Sequence, residues 1–281
     1  MNFGLIIIGD EILSGKRSDK HLTKAIELLS ARGLQLSYAD YVGDAPDRIT
    51  AALVRAFASG DAVFSFGGIG ATPDDHTRQC AGQALGCDLV LHPQAEALIL
   101  ERMQDVAREQ GTVYDPHRSD NAHRLNMGVF PAGAQIIPNP FNKIPGFYCS
   151  SPVDKHVSTP GPSAGARGIY FLPGFPVMAH PMMEWILDTH YPHLFAIGAW
   201  IEKSVIIFGA MEATLTPLME QIETAHSVKV FSLPSVDHPQ FGRHIELGVK
   251  GAPLVVERAY ADLLRGLNQF QLKLGPELVR T

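Results

Sequence analysis

The first 90 residues alternate strand-like and helix-like segments, and this constrains the fold more than any other feature. Residues 3–8 (Phe3-Gly4-Leu5-Ile6-Ile7-Ile8) are a short apolar run closed by Gly9. Residues 61–66 are a second such run, closed by Gly67-Gly68-Ile69-Gly70. Uninterrupted apolar runs of this length are what strands buried on both faces look like. Between them, residues 34–42 read as a third strand. Leu22, Ala25, Ile26 and Leu29 recur at helical spacing ahead of a capping Gly33. Pro46 suits the first turn of a helix running to 58, and another helix starts near Asp75 and carries Cys80, Ala81, Ala84 and Leu85. Such alternation predicts an α/β domain: a mostly parallel sheet with helices on both faces, three layers deep.

Downstream, 94–109 reads as an amphipathic helix, 111–124 as a polar loop or lid, and 135–137 as a short strand. Residues 150–167 are rich in Ser, Pro and Gly and are predicted to form a mobile loop. Residues 168–172 read as a strand running into Pro173-Gly174-Phe175-Pro176, followed by a helix over 178–189. A second pattern then begins, with strands at 203–209, 228–233 and 243–249 and helices at 212–225 and 253–268. The expected division is a binding domain over 1–195 and a smaller α+β domain over 200–281.

Composition narrows the partners. The chain has 281 residues, 23 Lys+Arg against 29 Asp+Glu, and a net charge of −6, which argues against non-specific nucleic-acid binding. Cys80, Cys87 and Cys149 lack a disulfide spacing and fit a reducing, cytoplasmic setting. No signal peptide and no membrane-spanning run is predicted.

The chemistry concentrates at the ends of the strand-like runs. Phe66-Gly67-Gly68-Ile69-Gly70-Ala71-Thr72-Pro73-Asp74-Asp75-His76-Thr77 joins a buried strand to a helix. Glycines there let a ligand approach the backbone, and a helix N-terminus offers free N–H groups to phosphate. Pro73 stands where a dinucleotide fingerprint needs its third glycine. Asp74 and Asp75 suit either a helix cap or a hydrated divalent cation. Gly9-Asp10-Glu11-Ile12-Leu13-Ser14-Gly15-Lys16 resembles a P-loop but has the wrong spacing, and Arg17 replaces its Ser/Thr. Asp10, Asp44 and Asp75 each follow a strand and are expected to converge on one rim. Of the twelve histidines, His76 lies inside the loop motif and reads as a rim residue, and the rest, including the pair His190 and His193, read as surface or packing residues.

Gly9-Asp10-Glu11-Ile12-Leu13, Val42-Gly43-Asp44 and residues 67–77 resemble the successive motifs of the molybdopterin-binding (MoaB/Mog/MoeA-like) superfamily. The Asp-Asp-x-Thr ending is most similar to the N-terminal part of the competence/damage-inducible (CinA) family. The resemblance continues through Phe130-Pro131-Ala132-Gly133-Ala134, Pro145-Gly146-Phe147 and Leu172-Pro173-Gly174-Phe175-Pro176. It implies a rim that binds a small phosphorylated ligand, either a pterin (molybdopterin) or a nucleotide. Asp44 and Asp75 would be catalytic. Gly67, Gly68, Ile69, Gly70, Ala71, Thr72, Thr77, Lys143 and Gly174 would bind phosphate or nucleotide. Asp10, Asp74 and Asp75 would hold Mg²⁺, Mn²⁺ or Co²⁺. Three functions fit the resemblance: a metal-dependent pyrophosphatase acting on ADP-ribose or a similar nucleotide, a molybdopterin-binding protein without hydrolytic activity, and an oligomeric scaffold with a degenerate site. Homo-oligomerisation is implied as well. So is the lack of the further C-terminal deamidase domain that longer relatives carry. Three departures from the family pattern are Ala71, where relatives have Pro, Asn142-Lys143-Ile144, where they have Gly-Thr-Ala, and the long insertion at 150–167.

Overall fold

The computed structural model describes residues 1–116, 118–151, 167–196 and 200–280. The chain divides into two compact units, Met1–Phe195 and Ala196–Thr281. The segment at 150–167 expected to be a mobile loop lies outside the described residues from 152 to 166.

In the first unit, the predicted strands become β1 (Phe3–Ile8), β2 (Leu36–Val42) and β3 (Ala62–Phe66). Between and after them come α1 (Asp10–Leu13), α2 (His21–Ser30), α3 (Pro46–Ser59) and α4 (Thr77–Leu85). The unit continues with β4 (Leu89–Leu91), α5 (Pro93–Glu109), α6 (Ser119–Leu125), β5 (Val129–Pro131), β6 (Gln135–Ile137), β7 (Gly146–Ser150), β8 (Gly168–Leu172) and α7 (Pro176–His190). A six-stranded sheet runs in the order β2-β1-β3-β8-β7-β6. Its first four strands are mutually parallel, whereas β7 is antiparallel to both β8 and β6. The sheet is therefore mixed. Strands β4 and β5 pair separately as an antiparallel ribbon.

Every residue of β1, β3 and β8 is buried, as their continuous apolar character requires. Successive side chains go to opposite faces. Phe3, Leu5, Ile7, Phe64 and Phe66 pack against α2 and α7 through Ala25, Leu29, Met182 and Ile186. Ile6, Ile8, Val63, Ile169 and Phe171 pack against α3 and α4 through Ile49, Leu53, Phe57 and Ala81. These two cores make the three-layer α/β/α domain. From β1 the chain crosses by α2 to β2 on one side, then by α3 to β3 on the other. The strand order thus reverses between β1 and β3. At such a switch point the loops after the two strands diverge and leave a crevice beyond the carboxyl ends.

Residues 111–124, expected to be loop, carry the short helix α6. Among the described residues, no helix is long and apolar enough to cross a membrane.

The second unit holds β9 (Ile201–Phe208), α8 (Glu212–His226), β10 (Lys229–His238), β11 (Gly242–Gly251), α9 (Pro253–Leu267) and β12 (Lys273–Arg280). Its antiparallel sheet has the order β10-β11-β9-β12. One face buries Val205, Ile207, Leu247 and Val249 under α8 and α9, which contribute Leu215, Ile222, Val256 and Leu263.

Candidate functional site

The switch point opens into a cavity of about 1110 Å³. Its lining includes Ile8 and Gly9 after β1, Asp44 after β2, residues 66–72 after β3, and Pro173, Gly174 and Phe175 after β8. Four parallel strands therefore deliver their carboxyl-end loops to one crevice. Lys16, Arg17, Lys20 and His21 line one side, and Asn139, Asn142, Ile144 and Pro145 another.

The glycine loop is held by its own backbone. The Gly67 amide donates to the Leu172 carbonyl at 3.0 Å, and the Thr77 amide to the Gly68 carbonyl at 3.0 Å. Gly67 and Gly68 have φ of 101° and 67°. A Cβ on Gly67 would lie 2.3 Å from the Ile8 carbonyl oxygen, and one on Gly68 would lie 2.1 Å from Thr77 Oγ1. Neither position has room for a side chain, and neither φ suits an L-residue. Thr77 is fully buried and its hydroxyl donates to the Gly67 carbonyl at 3.1 Å. Arg78, 4% exposed, donates from Nη1 to the Ile69 carbonyl at 2.6 Å.

Acidic groups rim the cavity. Asp10 and Asp44 are cross-linked: the Asp10 amide donates to Asp44 Oδ2 at 2.9 Å, and the Asp44 amide to Asp10 Oδ1 at 3.2 Å. Burial raises the Asp44 carboxyl above the usual carboxylate value, and the charges of Asp10, Glu11 and Asp74 add to that. The hydrogen bond that the Asp44 carboxylate accepts from the Asp10 amide works the other way. Asp75 Oδ2 accepts from the Thr72 amide at 2.8 Å and from the Thr72 hydroxyl at 2.5 Å, closing the turn before α4.

Of the site residues named from the sequence, the structure brings Asp44, Asp74, Asp75, Gly67, Gly68, Ile69, Gly70, Ala71, Thr72 and Gly174 to the cavity wall. Two placements correct the sequence reading. Thr77 lies beneath the loop, its hydroxyl already committed to Gly67, so it holds the loop and does not face a ligand. Lys143 lies off the cavity wall, its ammonium held by Glu101 Oε1 at 2.5 Å and Asp105 Oδ2 at 2.6 Å. That pairing, and not a phosphate, satisfies its charge.

Asp10, Asp74 and Asp75 form no preformed metal cluster among the described residues. A divalent cation takes about six or more oxygen ligands in one coordination sphere. Asp10 and Asp75 instead spend oxygens on the amides of Asp44 and Thr72. Among the described residues, no group of three or more His, Cys, Asp or Glu side chains is placed to hold a metal ion. The residues present do not fit a protein-built metal centre.

Three features, two on the wall and one beneath the glycine loop, escaped the sequence reading. Asn139, 6% exposed, donates from Nδ2 to Asn142 Oδ1 at 2.8 Å and to the Ile144 carbonyl at 2.9 Å, and its Oδ1 accepts from the Phe141 amide at 3.0 Å. The signal was present in Asn142-Lys143-Ile144, where the chain departs from the family pattern, but it pointed to Lys143. His21 is buried, stacked on Phe66 at 4.4 Å, and its Nε2 donates to the Gly174 carbonyl at 3.2 Å. Its Nδ1 has no hydrogen-bond partner among the described residues, and burial lowers its pKa, favouring the neutral ring. A single histidine opening a helix carries no pattern that singles it out. Arg78 looked like any polar helix residue.

A mostly parallel α/β sheet with a glycine loop at its switch point defines the class of small-molecule-binding domains that use backbone amides at strand ends. Residues 4–194 match the family described as probable molybdopterin binding domain, and the chain belongs to that family. A CinA-like protein from Citrifermentans bemidjiense is 30% identical over 224 residues, covering 78% of this chain and 47% of the relative. A CinA-like protein from Geobacter sp. (strain M21) is 28% identical over 278 residues, 96% of this chain and 59% of the relative. The chain thus spans about half the length of these two relatives. Among solved structures, the CinA protein of Thermoplasma acidophilum, described as of unknown function, is 26% identical with a TM-score of 0.53, covering 68% of this chain and 99% of that one.

Proposed function

We propose that this chain binds a small phosphorylated ligand carrying an aromatic ring system, a pterin or a nucleotide, in the crevice at the switch point. The observation that carries the reading is the glycine loop itself. Residues 67–72 line a cavity of about 1110 Å³, and no room exists for a Cβ at Gly67 or Gly68. Backbone amides from Gly68 to Ala71 take the phosphate, as N–H groups at strand-to-helix turns do, while the Thr72 amide stays with Asp75. Ile12, Phe175 and Met178 on the cavity wall offer apolar surface to the ring. Membership of the molybdopterin-binding family supports a pterin, and a nucleotide meets the same donors.

A second, hydrolytic reading is favoured by Asp44, whose raised pKa suits a general base. In it, Asp44 takes a proton from a water attacking a pyrophosphate phosphorus. The phosphorus–oxygen bond to the leaving phosphate breaks, so that ADP-ribose yields AMP and ribose 5-phosphate. Asp75, tied to Thr72, positions the loop.

Calorimetric titration of the purified protein with ADP, ADP-ribose and a pterin phosphate tests the first reading. Micromolar dissociation constants for at least one are expected, and no binding of any would leave the scaffold reading. Release of AMP from ADP-ribose, assayed with and without Mg²⁺, Mn²⁺ or Co²⁺, tests the second. Binding without turnover retains the first reading alone. Turnover that survives Asp44→Asn would remove Asp44 from the chemistry. Homo-oligomerisation is a separate proposal, read by light scattering after size exclusion.

A further inference from the structure

We propose that Arg78 is the positive counter-charge of the ligand's phosphate, acting through the glycine loop from its buried side. This rests on the phosphate-binding reading above and adds a residue to it.

Arg78 lies in the first turn of α4, directly after the loop. It is 4% exposed, and its Nη1 donates to the Ile69 carbonyl at 2.6 Å. Among the described residues that is its one hydrogen bond to a side chain or backbone group, and no carboxylate stands within ion-pair distance. Such isolation is costly. A buried guanidinium is normally matched by a carboxylate or a set of acceptors, because withdrawing a full charge from water costs several kcal/mol if nothing compensates. The other arginine of this unit with comparable burial, Arg32, has that compensation in Asp188, at 2.6 Å from Nε and 2.8 Å from Nη2. Asp75 acts on Arg78 across space, but its Oδ2 is turned to Thr72.

The position explains what the isolation is for. By holding the Ile69 carbonyl, the guanidinium occupies a negative backbone dipole of the loop, whose residues Gly68, Ile69, Gly70 and Ala71 line the cavity. Its charge then lies behind those amides in a water-poor setting, where the field of one charge is screened far less than at the surface. The cavity rim itself is acidic, with Glu11, Asp44, Asp74 and Asp75 all on the wall. A phosphate entering there needs a cation on its side. Lys16, Arg17 and Lys20 supply cations at the mouth. Arg78 supplies one under the loop. When the phosphate binds, the buried charge gains the counter-charge that the protein does not provide.

The test separates charge from structure with Arg78→Gln and Arg78→Lys. Glutamine is a shorter, neutral donor that carries no charge, and lysine keeps the charge. Both are titrated in EDTA with ADP, inorganic pyrophosphate and adenosine, beside wild type. Arg78→Gln should weaken ADP and pyrophosphate on the order of thirtyfold, leave adenosine within about threefold, and lower Tm little. Arg78→Lys should recover most of the ADP affinity. Equal losses for ADP and adenosine, or Arg78→Gln binding ADP as well as Arg78→Lys does, would overturn the inference while the binding function stands. Wild-type protein that binds none of ADP, pyrophosphate and a pterin phosphate would overturn the function, and the inference with it. Should Arg78→Gln not fold, the Arg78→Lys ratio of ADP to adenosine affinity decides alone: a ratio unchanged from wild type supports the charge, and a ratio collapsed to that of a neutral loop overturns it.

Discussion

Two walls of the same cavity are built by opposite means. The wall after β3, residues 67–77, is backbone: glycines with positive φ, no space for a Cβ, and carbonyls held from below by Thr77 and Arg78. The other wall, Asn139, Asn142, Ile144 and Pro145, is side chain: Asn139 and Asn142 make the turn, and Lys143, turned off the wall, sits at φ 66° with no glycine there to ease it. A backbone wall presents the same donors whatever the ligand's ring. A side-chain wall can change its lining with one substitution. The chain keeps the glycines where phosphate would sit, with Ala71 the one departure there, and departs over three consecutive residues, Asn142-Lys143-Ile144, on the other side. In the proposed arrangement, the difference makes the holding of phosphate and the preference for a ring separable.

The sharpest way to break the comparison is to put a methyl group on the backbone wall. In Gly67→Ala the new Cβ meets the Ile8 carbonyl at 2.3 Å, in a φ region that alanine resists. Strand β1 cannot retreat, because it is buried on both faces. The expected loss is about 4 kcal/mol, or roughly 10 °C in Tm for a unit of this size, with ligand binding abolished. Thermal unfolding followed by circular dichroism reads it. A loss below about 1 kcal/mol would mean the loop is looser than its contacts imply.

Asn139→Ala makes the matching cut in the other wall. Three hydrogen bonds go, in a nearly buried setting. A loss of about 2 kcal/mol and roughly 5 °C follows. Pyrophosphate affinity should change less than about threefold, because this wall does not hold phosphate in the proposed arrangement. A pyrophosphate loss as large as that of Gly67→Ala would merge the two walls into one binding element and end the distinction.

Much of this architecture was legible in the sequence, and the exceptions have physical causes. Strands β1, β3 and β8 were readable because burial on both faces demands uninterrupted apolar residues. Strand β7 was seen as a motif but not as a strand, and nothing in Gly146-Phe147-Tyr148-Cys149 says that it runs antiparallel. Strand β12 went unseen because Gly275 and Pro276 interrupt it, and its register shifts between Leu274 and Glu277. The aspartates were rightly expected at strand ends, since spacing along the chain places them there. Their use was not legible. Whether a carboxylate oxygen faces a cation or the amide of Asp44 or Thr72 is set by loop conformation, which spacing does not encode. Arg78 was invisible for a related reason: its burial follows from packing under the loop.

A smaller effect separates function from stability at the rim. Asp44 has its pKa raised by burial and by its acidic neighbours, so the folded state holds that proton more tightly than the unfolded chain. Stability from this group is therefore greatest in acid and falls as pH rises from about 3.8 through the raised value. Asp44→Asn keeps an acceptor for the Asp10 amide and removes the charge. At pH 7 it should raise Tm by about 1 °C, a few tenths of a kcal/mol given the site's exposure. The gain should shrink toward zero near pH 3.5, below the ordinary carboxylate range. A gain that persists unchanged in acid would mean the charge is not its source.

Lys143 gives the smallest expected change and the cleanest separation of the two walls. Its ammonium is satisfied by Glu101 and Asp105, which hold it from helix α5, and its backbone occupies the left-handed region. Lys143→Gly removes the backbone strain and the ion pair together. It also loosens the unfolded chain, as any added glycine does. These contributions oppose one another, so Tm should move by no more than about 2 °C. Pyrophosphate and ADP affinities should stay within about twofold of wild type, whereas a lysine that contacts phosphate gives up about tenfold or more. A tenfold loss in Lys143→Gly would show that the lysine leaves its carboxylates when ligand arrives. The side-chain wall would then share in holding the phosphate, and the division between the walls would hold for the free protein alone.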